Sequence, residues 1–116
     1  MDINQWLEAF NTHWSAHDID SVLELFTDDV EYWETPYYKL DSKNHLRQEW
    51  QAILAQKDIK LNARIFNSSL DNKHAIIWQL SYIRDGELRE SAGTYLIKLN
   101  EKGLCDFFHY VSAPKV

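Results

Sequence analysis

The sequence predicts an α+β domain: three helices in the first half, then a mostly antiparallel sheet. Two patterns carry this. Large apolar residues recur at helical spacing up to Leu54, and from Ile59 onward they alternate as they do on half-buried strands. Turn signals at Asp85-Gly86 and at Asn100 to Gly103 then cut the second half into the long strands of a meander. At 116 residues, 45% hydrophobic, with three glycines and two prolines, the chain reads as a single domain over residues 1–116.

The first helix carries Ile3, Leu7, Phe10 and Trp14 on one stripe, widened by Trp6. A second, short helix carries Ile19, Val22, Leu23 and Phe26, with Ser21 and Glu24 spaced for a capping box. Thr27-Asp28-Asp29 reads as a loop, and Val30 to Glu34 as a short strand that stops before Thr35-Pro36. After a loop from Pro36 to Leu40, Asp41 or Ser42 caps a third helix with the stripe Leu46, Trp50, Ile53 and Leu54. Everything later is β, giving the order α, α, β, α, ββββ.

The turns fix register, because directly paired residues of an antiparallel hairpin share a face. A two-residue loop at Asp85-Gly86 pairs Arg84 with Glu87, Tyr82 with Arg89, Leu80 with Ser91, Trp78 with Gly93 and Ile76 with Tyr95. The aromatic face of Ile76, Trp78, Leu80 and Tyr82 is then the core side. A four-residue turn at Asn100 to Gly103 pairs Ile97 with Asp106, Tyr95 with Phe108 and Gly93 with Tyr110. Gly93 would thus leave room between Trp78 and Tyr110 and let the sheet curve over a cavity.

Twelve basic against 18 acidic residues give a net charge of −6, with the basic residues scattered singly, which argues against a nucleic-acid partner. No segment approaches the ~20 apolar residues of a membrane span, and the acidic, mixed start MDINQWLEAF is unlike a secretory signal, so a cytoplasmic location is expected. Cys105 lies in an apolar strand pattern and reads as a buried, reduced thiol. His13 and His17 stand i, i+4 with Asp18 beside them, but no third histidine lies at a supporting spacing. His45, His74 and His109 are isolated, and the glycines are too far apart for a phosphate loop. Neither a metal nor a cofactor is expected.

Three residues stand out for chemistry. Glu34 shares the parity of Val30 and Tyr32, so it points inward if that strand buries its aliphatic side. A carboxylate there must find partners or hold its proton to higher pH, as a general acid or base working near neutrality does; otherwise it is a strand-end residue in water. Asp106 lies between Leu104 and Phe108 on the face counted as inward, although a bulge would turn it out and bring Cys105, Phe107 and His109 in. Tyr95 could donate its hydroxyl to a substrate oxygen, or simply fill core with its ring.

The segments AHDIDSVLELFTDDVEYWETP and ETPYYKL…LRQEW, within this order of elements, resemble the SnoaL-like branch of the nuclear transport factor 2 superfamily. The resemblance implies a cone-shaped α+β barrel: a strongly curved sheet wraps the helices, leaves a pocket at the open end, and commonly dimerises through its outer face. Set against the ketosteroid isomerase pattern of that superfamily, Glu34 stands where the catalytic base sits, Tyr95 where the oxyanion-hole acid sits, and Phe10 where the oxyanion-hole tyrosine sits. The last is a departure, since a phenylalanine cannot donate a hydrogen bond.

The expected protein is therefore a small-molecule pocket protein. Its pocket draws on Phe10 and Trp14 of the first helix, Tyr32 of the first strand, and Trp78, Tyr95, Phe108 and Tyr110 of the meander, with Glu34 and Asp106 as polar groups. As an enzyme it would be a cofactor-free isomerase, cyclase or dehydratase moving protons on a hydrophobic carbonyl or hydroxyl compound. The alternative is a noncatalytic ligand-binding or dimeric interaction module. A homodimer is expected through the outer sheet face, where parity places Trp33, Ile77 and Phe107.

Overall fold

A computed structural model describes residues 1–115. Helix α1 (Ile3–Ser15) is followed by α2 (Ile19–Leu23), strands β1 (Phe26–Thr35) and β2 (Tyr38–Leu40), and helix α3 (Lys43–Trp50) with a 3₁₀ turn at Gln51–Ala55. Four long strands complete the chain: β3 (Lys57–Ser68), β4 (Lys73–Arg84), β5 (Glu87–Leu99) and β6 (Cys105–Pro114). They form one sheet in the order β2-β1-β6-β5-β4-β3, antiparallel throughout except where β1 lies parallel to β6. The fold class read from the sequence is the one observed.

Local chemistry sets the helix starts. Asp2 and Gln5 form a reciprocal capping box on α1. Asp18, not Ser21, caps α2: its carboxylate accepts from the Ser21 amide and from the Ser21 hydroxyl, at 3.2 and 2.7 Å. His17, in the left-handed region at φ 58, turns the chain sharply enough to bring Asp18 there. Ser42 caps α3 through the His45 amide. Beyond Trp50 the backbone tightens to 3₁₀, about three residues per turn, and the stripe rotates. Ile53 stays buried while Leu54, expected on the stripe, is 56% exposed.

Two stretches expected as loops are strand. β1 begins at Phe26, because β6 runs alongside it: Phe26 pairs with Cys105, and the Cys105 amide donates to the Leu25 carbonyl. Residues 38–40 pair back on β1 as β2. The β1–β2 register slips between Trp33 and Thr35, so Glu34 is the extra residue of a β-bulge.

The β4–β5 register matches the turn count at every pair, from Arg84 with Glu87 to Ile76 with Tyr95, with Asp85 and Gly86 both at positive φ as a primed hairpin turn requires. The β5–β6 register does not. Lys98 pairs with Phe107 but Leu99 with Cys105, so Asp106 is the extra residue of a bulge and the strand has moved by two. Tyr95 faces Tyr110, Ile97 faces Phe108, and Gly93 faces Ser112. A shift of two preserves parity, so Phe108 is buried and Tyr110 half-buried on the core side as expected.

The core is an aromatic stack between α1 and the concave sheet. Trp6 and Phe10 stack at 5.0 Å, Phe10 meets Tyr95 edge-on at 6.0 Å, and Trp78 stacks on both Tyr95 and Tyr110 at 5.3 Å. Cys105 is fully buried, and burial pushes its thiol well above the usual range, which makes it inert.

Candidate functional site

The open end of the sheet encloses a cavity of about 150 Å³ between α1, the α3 end with its 3₁₀ turn, and strands β1, β4, β5 and β6. Of the residues expected to line it, Phe10, Trp14, Tyr32, Glu34, Phe108 and Tyr110 do so, together with Tyr95. Trp78 does not reach the wall. It is fully buried one layer behind, its ring supporting those of Tyr95 and Tyr110.

Asp106 lies elsewhere, which corrects its inward assignment. The β6 bulge rotates it to the outer side, where Lys98 Nζ donates to Oδ2 at 3.1 Å and a shallow depression is shared with Thr27, Asp29 and Glu31. It cannot act with Glu34.

Glu34 is placed by two strand neighbours. Tyr32 pairs with Phe108 on the core side and Trp33 with His109 on the outer side, so the next residue turns inward beside Tyr110, and the bulge lets it lean into the cavity. Half-buried, its carboxyl is raised to about 7, first because burial strips water from the ionised form and second because Glu49 sets a like charge nearby. The neighbouring Tyr32 hydroxyl opposes this by stabilising the carboxylate.

Tyr95 supplies the complementary group. The residue lines the cavity but is only 1% exposed, and its buried hydroxyl has no hydrogen-bond partner among the described residues. Burial holds the phenol well above its ordinary range, so it stays a neutral donor. Phe10, 6.0 Å from the Tyr95 ring, contributes shape only.

Several wall residues were missed by sequence reasoning. Leu80 and Tyr82 carried a usable signal, since they continue the inward face of β4 beyond Trp78. Trp50 was counted as core stripe, and it forms wall by packing edge-on against Trp14 at 5.1 Å. Glu49 and Gln56 gave no signal. The Gln56 side-chain oxygen accepts from Trp14 Nε1 at 2.8 Å, which fixes the orientation of an amide that lines the cavity. No group of three or more potential metal ligands occurs among the described residues.

Solved structures confirm the architecture. RV0760c from Mycobacterium tuberculosis superimposes with a TM-score of 0.80 at 19% identity, covering 97% of this chain and 95% of that one. RV0760c has also been solved in complex with estradiol-17beta-hemisuccinate. The Δ5-3-ketosteroid isomerase of Mycobacterium sp. gives 0.80 at 16% identity, over 97% and 98% of the two chains. SalBIII, an epoxide hydrolase/cyclase-like enzyme of salinomycin pyran-ring formation, gives 0.82 at 10%, over 95% and 89%. These likenesses establish the fold alone. No curated protein sequence matches the chain. The family model for the SnoaL-like domain matches residues 6–105, and with the cone and its cavity in place the chain belongs to the SnoaL-like family of the NTF2-like fold.

Proposed function

We propose that this protein binds a small hydrophobic compound, about one ring in size, and moves a proton on it without a cofactor. The observation that carries this is the meeting, at one cavity, of a carboxyl that burial raises to about 7 and a buried phenol with no partner among the described residues. Near neutrality Glu34 exists in both forms, so it can take a proton from carbon beside a carbonyl and return it. The electrons released move to the carbonyl oxygen, where the Tyr95 hydroxyl donates a hydrogen bond. Isomerisation, cyclisation and dehydration all use such a step. A cavity of about 150 Å³ admits a benzene-sized ring, with more of a ligand emerging at the mouth.

The test is exchange of the α-protons of cyclohexenone in heavy water, followed by NMR. Exchange above background is expected with the native chain and is lost in Glu34→Gln. Binding of the ketone without Glu34-dependent exchange establishes the noncatalytic binding module instead, a reading supported by the aromatic crowding around Phe10 and Tyr95. Tyr95→Phe should slow exchange roughly 10²-fold yet raise stability by about 1 kcal/mol, because it removes a buried hydroxyl that has no partner. Thermal melts check the second half.

We also propose a cytoplasmic homodimer, paired through the outer sheet face. Across it run the rows Ile77, Thr94, Val111 and Ala75, Leu96, His109, Trp33, with Phe107 beside them. Leu96 and Val111 are 45% and 39% exposed, so this face offers apolar side chains that a second copy would cover. Light scattering at micromolar concentration should give a dimer for the native chain and a monomer for Leu96→Glu; a native monomer refutes the pairing.

A further inference from the structure

Charge on the cavity wall is one-sided. Glu34 reaches it from β1 and Glu49 from the end of α3, while α1 contributes only Phe10 and Trp14. The ionisable groups of β4, β5 and β6 that face them are the phenols of Tyr82, Tyr95 and Tyr110, with Tyr32 beside Glu34 on β1. Among the described residues no lysine or arginine lines the cavity. The basic residues of α3 are engaged away from it: Lys43 on the Phe26 carbonyl and Asp28, Arg47 on Asp20. Behind Glu49 stands His45, its Nε2 3.9 Å from the carboxylate but 2.6 Å from the Tyr38 hydroxyl, and its Nδ1 3.1 Å from Asp41.

With only the His45 imidazole behind Glu49, the two carboxyl groups leave the mouth of an aromatic cavity electronegative, a setting that favours a cation from solution. The surroundings suit an organic cation better than a metal. The indoles of Trp14 and Trp50 meet edge to face at 5.1 Å, and aromatic faces attract ammonium groups through their quadrupole. The unpartnered Tyr95 hydroxyl, deeper in, serves the oxygen of the same molecule as donor.

We propose that the cavity selects a ring-sized compound carrying a protonated amine beside its carbonyl or hydroxyl group. The ammonium sits between Glu34 and Glu49 at the mouth and the ring lies inward toward Tyr95. This rests on the reading of the cavity as a single-ring site and adds the charge of its occupant. It excludes anions, which would meet two acids and no base. It also couples binding to proton release, because a cation beside Glu34 favours its ionised form.

Calorimetric titration of the full chain with benzylamine, benzyl alcohol and benzoate separates the possibilities. Near neutral pH benzylamine should bind about tenfold more tightly than benzyl alcohol, with benzoate weakest. In buffers of different ionisation enthalpy, benzylamine binding should release a fraction of a proton and benzyl alcohol none. Glu49→Gln should reduce the amine-to-alcohol affinity ratio about fivefold. Equal affinities for amine and alcohol, or an unchanged ratio in Glu49→Gln, overturn the amine preference and leave the single-ring site standing. Failure of all three compounds to bind overturns both.

Discussion

Replacing Gly93 by alanine is expected to destabilise the protein by about 3 kcal/mol or more, lowering the thermal midpoint by about 10 °C. A Cβ on Gly93 would lie 1.8 Å from the Val111 carbonyl oxygen, 2.8 Å from its carbon and 2.9 Å from Ser112 Cα. All three are backbone atoms, so no rotamer change relieves the clash, and β6 must move away from β5. That motion breaks the pairs of Gly93 with Ser112 and Thr94 with Val111, and it shifts Tyr110, which stacks on Trp78 and lines the cavity. The loss should therefore appear in ligand affinity as well as in the melt. Alanine is the informative substitution. A glycine needed only to leave space between rings would tolerate a methyl group and reject valine, whereas one needed for backbone approach rejects both. An unchanged midpoint for Gly93→Ala would mean that β5 and β6 do not approach this closely.

The difference between those two roles of Gly93 shows where local pattern stops determining register. The Asp85-Gly86 turn has one good geometry, so counting outward from it placed every β4–β5 pair correctly. The second turn has a longer loop held by Asn100, whose carbonyl accepts from Gly103 and whose side chain accepts from the amides of Lys102 and Leu104. Leu104 is thereby drawn into the turn, and the following bulge absorbs Asp106. Parity survived because the net slip was two, which kept Tyr95 and Phe108 inward while moving the partner of Gly93 from Tyr110 to Ser112.

The site divides along the same line. Residues placed by periodicity within one element, such as Phe10, Trp14, Tyr32 and Glu34, were legible, and the resemblance to ketosteroid isomerase independently selected Glu34 and Tyr95. Residues whose role depends on the meeting of distant elements were not. Glu49 matters because α3 ends opposite β1, and Gln56 because its side chain receives the Trp14 indole across more than forty positions of sequence. Polar residues of that kind carry no periodic signal, since each has a single partner fixed by tertiary packing. Trp78 is the converse case: correctly placed on the inward face, it is screened from the cavity by the rings in front of it.

Glu34→Gln is expected to raise stability at neutral pH by about 2 kcal/mol, after discounting the full shift for the solvent at the cavity mouth. The sign follows from the proton. Folding raises this carboxyl from 4.5 to about 7, so between those values the folded chain holds a proton that the unfolded chain has lost. Stability from this group is then unimpaired below pH 4.5, falls as pH rises through the window, and stays reduced above about 7. Glutamine keeps the shape and has no proton to lose, so the two proteins should melt together in acid and diverge steadily toward neutrality. Glu49→Gln should shrink that divergence, because removing the like charge lets Glu34 ionise more easily in the fold. Thermal or urea unfolding of the three proteins across this range makes the measurement. Parallel curves for native and Glu34→Gln would show that the carboxyl is not raised, and with that the case for Glu34 as a base near neutrality falls; destabilisation by glutamine at neutral pH would mean that the carboxylate holds structure and that the protein is a binding module.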